Sequence, residues 1–249
     1  MLLKLLILLP LTGLTAFAAD LSPTTGFIYP KINNGEDVAA EPAYRFQRQV
    51  LEGVAGARTA VSRYQDMEGK EVVFESVEYV GGDLKRYVFK QRQINQEASF
   101  EVRGTKGLFT LKKQVKGKGE KIETASRDLE PEVVVIDQLI DKMREKWASL
   151  MKGDDYEFRF VVVFNKDVYG FEVFKDKEID YGGKPAVVFK MKPSSFFISM
   201  FVRPLYLTFE RDGERRILEV DGRMPIKHFS DDGSGDYSDI EAILRFKYR

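Results

Sequence analysis

EVVVIDQLIDKMREKWASLM, residues 132–151, is the stretch around which the rest of the chain arranges itself. Its apolar residues are Ile136, Leu139, Ile140, Met143, Trp147, Leu150 and Met151. Steps of three and four place them on one face of a helix, with Asp137, Asp141, Lys142, Arg144, Glu145 and Lys146 on the other. Pro131 suits a first helical turn, where its missing N–H costs nothing, and Gly153 suits a left-handed terminator. Acidic residues stand at the positive end and Lys152 at the negative end. One amphipathic helix over 132–151 is therefore expected, about 30 Å long at ~1.5 Å per residue. Its apolar stripe needs a broad partner. Trp147 within that stripe is either core or a ligand contact.

The rest of the chain supplies the partner. On both sides of the helix, short alternating segments recur about every ten residues, with turn signals between them. Tyr44, Phe46 and Val50 alternate with polar residues, and Glu52-Gly53-Val54-Ala55-Gly56 connects them to a second strand ending near Tyr64. Gly81-Gly82-Asp83 and Asp212-Gly213 read as hairpins. Past the helix, Tyr156, Phe158, Phe160 and Val162 alternate, and Ile240, Ala242, Leu244, Phe246 and Tyr248 mark the last strand. No strand–helix–strand alternation is visible, so an antiparallel and not a parallel sheet is expected. The expected fold is mainly β (α+β), a curved antiparallel sheet of roughly a dozen strands wrapped around one long helix. Residues 19–42 contain Pro-bounded pieces and an Asn-Asn-Gly turn and read as an N-terminal arm or linker; 43–249 read as a single β-rich domain.

Residues 1–18 read as a secretory signal. Lys4 is the charged start, 5–14 an apolar stretch too short for a membrane anchor, and Ala16-Phe17-Ala18 a cleavage site. The expected location is periplasmic or secreted, with no transmembrane anchor after processing. The chain has no cysteine, so its core alone must hold it together. Removing the signal takes Lys4 and no acid, so 39 basic groups become 38 against 39 acidic ones, which argues against nucleic acid as a partner.

Four features in order resemble an uncharacterised family of bacterial envelope domains known as a domain of unknown function. They are the Glu52–Gly56 connection between strands, the meander, the Pro-initiated helix carrying Asp137, and the closing strands after Gly153 with their Gly182-Gly183 turn. That family is in turn distantly similar to periplasmic lipoprotein carriers, whose curved sheet wraps a helix around an apolar cavity. The resemblance implies such a cavity and a periplasmic home; it supplies no catalytic residues. The apolar run 196–202 departs from the family pattern.

Chemistry-bearing motifs are few. His228 is the only histidine, there is no Gly-x-Ser-x-Gly elbow and no cysteine nucleophile, and no spacing selects a carboxylate pair. No enzyme and no cofactor is expected. The acidic loop 230–241, aligned on Gly235, resembles a calcium loop with Asp232, Ser234, Ser238 and Glu241 at ligand positions, but Ser230 stands where an acid belongs. The alternative is a solvated hairpin loop. The basic stretch 103–121 suits either anionic envelope polymers or protection of a sheet edge. Phe196-Phe197-Ile198-Ser199-Met200-Phe201-Val202 lies between Pro193 and Pro204, either as a buried strand or as a lip that meets lipid or a partner. The expected function is non-catalytic: binding an apolar or envelope-derived ligand, or a partner, with Trp147, Phe197, Met200 and Phe201 as candidate contacts. The competing readings are a structural envelope component with a filled core, and an outer-membrane barrel, which the amphipathic helix opposes.

Overall fold

The computed structural model describes residues 24–32, 35, 37–115, 117–129, 133–200, 202–230 and 236–248. The signal read at 1–18 lies outside them. A 16-stranded sheet dominates the described residues. Its first half comprises β1 (Thr25–Ile32), β2 (Asp37–Val38), β3 (Tyr44–Glu52), β4 (Ala57–Asp66), β5 (Glu71–Val80), β6 (Asp83–Gln91), β7 (Gln96–Arg103), β8 (Lys106–Val115) and β9 (Gly119–Asp128). After β10 (Val133–Val134) come α1 (Ile136–Glu145) and α2 (Trp147–Lys152). The second half follows: β11 (Tyr156–Val162), β12 (Asp167–Asp180), β13 (Pro185–Pro193), α3 (Phe196–Ser199), β14 (Leu205–Glu210), β15 (Ile217–Phe229) and β16 (Tyr237–Lys247).

Consecutive strands pair as hairpins on each side of the helices, and β1 joins the two sides by pairing with both β16 and β3. The sheet therefore runs from β10 through β16 to β1, and on through β3 to β9. All neighbours are antiparallel except β10 and β11. Arg127 on β9 pairs with Asp167 on β12 at 2.9 Å, and Lys166 pairs with Glu123 at 2.7 Å. Side chains thus bridge two parts of the sheet that share no backbone ladder, as in a barrel left open.

Two expectations need correction. The arm expected at 19–42 contains β1, whose Ile28 is fully buried. Pro30 disguises it, yet the ladder to β3 stops at Ile28–Tyr44, so proline's missing N–H breaks no bond on that side. The helix expected over 132–151 is not one long helix. Val133 and Val134 pair in parallel with Arg159 and Phe160, because β-branched residues suit a strand better than a first helical turn. The helix then breaks at Lys146 (φ −89°, ψ 7°). The expected stripe survives the break: Leu139 and Met143 on α1, Trp147 and Leu150 on α2 are all buried. Gly153 ends α2 at φ +96°, the left-handed terminator anticipated from sequence.

The core has two clusters. One joins β1 and β3–β8 to the inner ends of β15 and β16, with Phe100 and Phe109 at its centre. The other packs the helices on β11–β15. There Trp147 makes edge contacts with Phe189 at 5.3 Å and Phe209 at 5.7 Å. Trp147 is 5% exposed, so Trp147→Ala is expected to destabilise by about 3–5 kcal/mol. A urea titration measures it, and a midpoint equal to wild type would show that the helices do not organise this half of the core.

Candidate functional site

Alternation along β3–β6 points one residue in two inward. Those positions hold Phe46 and Arg48 on β3, Ala60, Ser62 and Tyr64 on β4, Glu75 and Val77 on β5, and Tyr87, Phe89 and Gln91 on β6. With α1 and the inner faces of β11 and β14–β16 they enclose a partly open cavity of about 380 Å³. It lies between the two core clusters and is lined by members of both, such as Phe89 and Leu207. Most of its wall is apolar.

A buried polar group ties α1 to the sheet. Arg48 donates from Nε to Asp137 Oδ1 at 2.7 Å, and both side chains are almost wholly buried. The Tyr79 hydroxyl donates to Asp137 Oδ2 at 2.8 Å. Burial, then the charge of Asp137, push the Tyr79 hydroxyl up from its ordinary value.

Glu75 stands apart from this network. It is 6% exposed and lines the cavity, and no described residue hydrogen-bonds its carboxyl. Burial, then the nearby Asp137 charge, raise its pKa from 4.5 to about 8. Glu75 is thus mainly neutral at pH 7. Its cross-strand partners are Ser62 and Phe89; Tyr64 and Tyr87 sit on the flanking strands, one row to either side. Both tyrosines are pushed well above the ordinary range, by burial and then by the charge of Glu75.

One margin of the cavity is built by a bulge. The β15–β16 register shifts between Arg223 and Lys227. Gly222 (φ +148°) starts the distortion, and a Cβ there would lie 2.7 Å from Leu205 Cδ1. The released backbone is claimed from across the sheet. Gln91 donates to the Pro225 carbonyl, Gln93 donates to the Lys227 carbonyl, and the Lys227 N–H donates to Gln93 Oε1. Lys227 also pairs with Asp239 at 2.5 Å where the lining meets water.

The residues anticipated as ligand contacts are not brought together. Trp147 is buried in the helix-side core and does not line the cavity. Phe197 and Met200 lie on and just after α3, a single helical turn rather than a strand, with Phe196, Phe197 and Met200 exposed by 73%, 74% and 58%. Phe201 lies outside the described residues. Of the calcium candidates, Asp232 and Ser234 lie outside them too. Ser238 and Glu241 both belong to β16, an extended strand that directs them to opposite faces, and Glu241 lies 3.7 Å from Arg223. No group of three potential metal ligands exists among the described residues. Much of the basic stretch is ion-paired: Arg103 to Glu101, Lys106 to Asp128, Lys113 and Lys121 to Glu123.

Sequence reasoning does not single out the polar residues of the wall, Arg48, Tyr64, Glu75 and Tyr87, or Tyr79, which bonds Asp137. The signal was present. In Val73-Phe74-Glu75-Ser76-Val77, an acid occupies the apolar phase of a strand, as Arg48 does between Phe46 and Val50.

No family model matches the chain, and no curated protein does. Among solved structures it is similar to a β-barrel-like protein of domain of unknown function DUF1849 from Brucella abortus. The identity is 9% and the TM-score 0.43, over 91% of this chain and 96% of that one. No helix among the described residues is long and apolar enough to cross a membrane, which says nothing of strands.

The Glu75 carboxyl makes stability depend on pH. Its folded pKa lies above the ordinary value, so the folded state holds the proton more tightly. Its contribution is complete below pH 4.5 and is lost as pH rises through about 8. Glu75→Gln is expected to remove that loss and to be more stable than wild type at the upper end of the window. Urea midpoints at both ends measure this; equal pH slopes for the two proteins would place Glu75 in water.

Proposed function

We propose that the protein is a non-catalytic binding protein of the bacterial envelope that holds one small apolar or amphipathic molecule between α1 and the β3–β6 wall. The observation that carries this is the cavity itself. At about 380 Å³ it falls within the ~300–1,000 Å³ usual for ligand pockets, and its lining has the usual composition, apolar with a few convergent polar groups. A purely structural envelope component would have this space filled, since unfilled apolar volume in a core is destabilising. The periplasmic setting rests on the signal read at 1–18 and on the resemblance to envelope domains. That resemblance also implies a distant likeness to lipoprotein carriers, which suits an apolar ligand of envelope origin.

Mass spectrometry of lipids co-purifying with the protein tests the reading directly. In a second arm, Ala60→Leu adds bulk to a buried position in the cavity wall. It is expected to reduce binding of the uncharged apolar dye Nile red by about tenfold while costing no more than the ~1–3 kcal/mol of an overpacked site. No co-purifying apolar molecule, together with no dye binding by wild type, would leave the filled-scaffold reading standing.

The exposed turn α3 has a place in this reading. The Pro204 carbonyl, beyond it in the chain, lies beside Gly222, the residue before Arg223 of the cavity lining. An apolar lip there suits contact with a lipid surface or a partner from which the ligand comes. Phe197→Ser is expected to change stability by less than about 0.5 kcal/mol and to slow transfer of a bound dye to lipid vesicles. Unchanged transfer would remove α3 from the function.

A further inference from the structure

Glu75, Tyr64 and Tyr87 form a polar patch on the cavity wall with no protein partner. All three are over 90% buried, line the cavity, and have no hydrogen bond to any described residue. Their oxygens open onto the cavity, so a bound molecule can supply the partners that the protein does not. Charged groups stand around them, Arg223, Lys227 and Asp239 on the same lining among them. Arg48 on β3 gives its Nε to Asp137 on α1, Arg58 on β4 stacks over the Tyr79 ring on β5, and Tyr79 is itself bonded to Asp137. The charge acting on Glu75 is the carboxylate of Asp137. With Glu75 and both hydroxyls uncharged at pH 7 and Asp137 paired to Arg48, the patch carries no net charge of its own, and its rings, with that of Phe89, present the electron-rich faces that attract cations.

We propose that this patch is the head-group site for a protonated amine: the cavity takes an alkyl ammonium, its chain along the apolar wall and its N–H donors on Glu75 and the two tyrosine oxygens. The inference rests on the reading of the cavity as an amphiphile site and names the chemistry of the polar end. An ammonium supplies the opposite charge that lets Glu75 ionise in a dry site, and its three donors match three waiting oxygens. An anionic head would turn instead to the basic side chains of the lining, Arg48, Arg223 and Lys227, each of which already faces a carboxylate, Asp137, Glu241 and Asp239. Ionisation of Glu75 on binding releases its proton to solvent, while the ligand amine stays protonated throughout. The proton balance is one released per ligand bound, less the fraction already ionised.

Isothermal titration with octylamine, octanol and octanoate, which share a chain and differ in the head, tests this. Octylamine is expected to bind at least about tenfold more tightly than octanol. At pH 7, close to one proton should be released per amine bound, read from the dependence of the binding heat on buffer ionisation. Octylamine affinity should rise between about pH 6 and pH 8. Glu75→Gln should abolish both the preference and the proton release while keeping the octanol affinity, and Tyr64→Phe or Tyr87→Phe should weaken only the amine. Equal affinity for octylamine and octanol, a preference for octanoate, or an unaltered preference in Glu75→Gln would overturn the head-group assignment and leave the cavity reading intact. Failure of wild type to bind any of the three would overturn the cavity reading, and the assignment with it.

Discussion

The bond from Arg48 to Asp137 is the constraint on which the interior depends. It joins the first turn of α1 to β3, and Tyr79 locks the second carboxylate oxygen from β5. Taking both charges out of water costs several kcal/mol, which only a close, well-directed pair can offset. What the pair contributes is position. Trp147 fixes the far end of the helices by packing between Phe189 and Phe209, an apolar contact that tolerates small displacements. A charged hydrogen bond tolerates far less. With one end held by packing and the other by direction, α1 stands beside the β3–β6 wall without collapsing onto it, and the cavity is the space that remains.

The sheet is held open by complementary means. Its ladder is continuous from β10 to β9, and the gap is crossed by ion pairs instead of backbone bonds. Bridges of this kind are exposed and individually weak. The tighter closure is the exchange between Gln91, Gln93 and the β15 bulge, where side chains satisfy the carbonyls and the N–H that the irregular strand leaves unpaired. One margin is thus pinned by directional bonds and the other by screened charges.

Much of this architecture was legible in the sequence. The alternating segments, the hairpin glycines and the 139–143–147–150 stripe follow from periodicities of two and 3.6, which local sequence expresses directly. The errors came where tertiary pairing overrode local preference. Val133 and Val134 lie next to a strong helical pattern, yet β11 recruits them into the sheet. Thr25–Ile32 carries a proline and stands among turn-forming residues, and is a strand because both β16 and β3 receive it. The candidate site was harder to read for a different reason. Aromatic and apolar residues look like the marks of binding, yet the structure sends Trp147 to the core and Phe197 to the surface. The informative residues were Arg48 and Glu75, polar side chains in the buried phase of a strand. They can be recognised from sequence only by asking what an inward-facing charge is doing there.

The place of β1 sets the order in which the chain can assemble. Thr25 pairs with Lys247 and Phe27 with Arg245, so the first strand meets the last across nearly the whole described chain. The other antiparallel neighbours in the main ladder follow one another closely along the chain and can form as hairpins while synthesis proceeds. β1 can lie on β3 early, but its other edge stays open until β16 has been made. For that interval the nascent protein carries an unpaired strand edge next to Ile28, the kind of surface that recruits other strands. The final step is a contact of very long range, which loop-closure entropy makes slow. The strand that gives the finished sheet its continuity is, during folding, its longest-lived vulnerability.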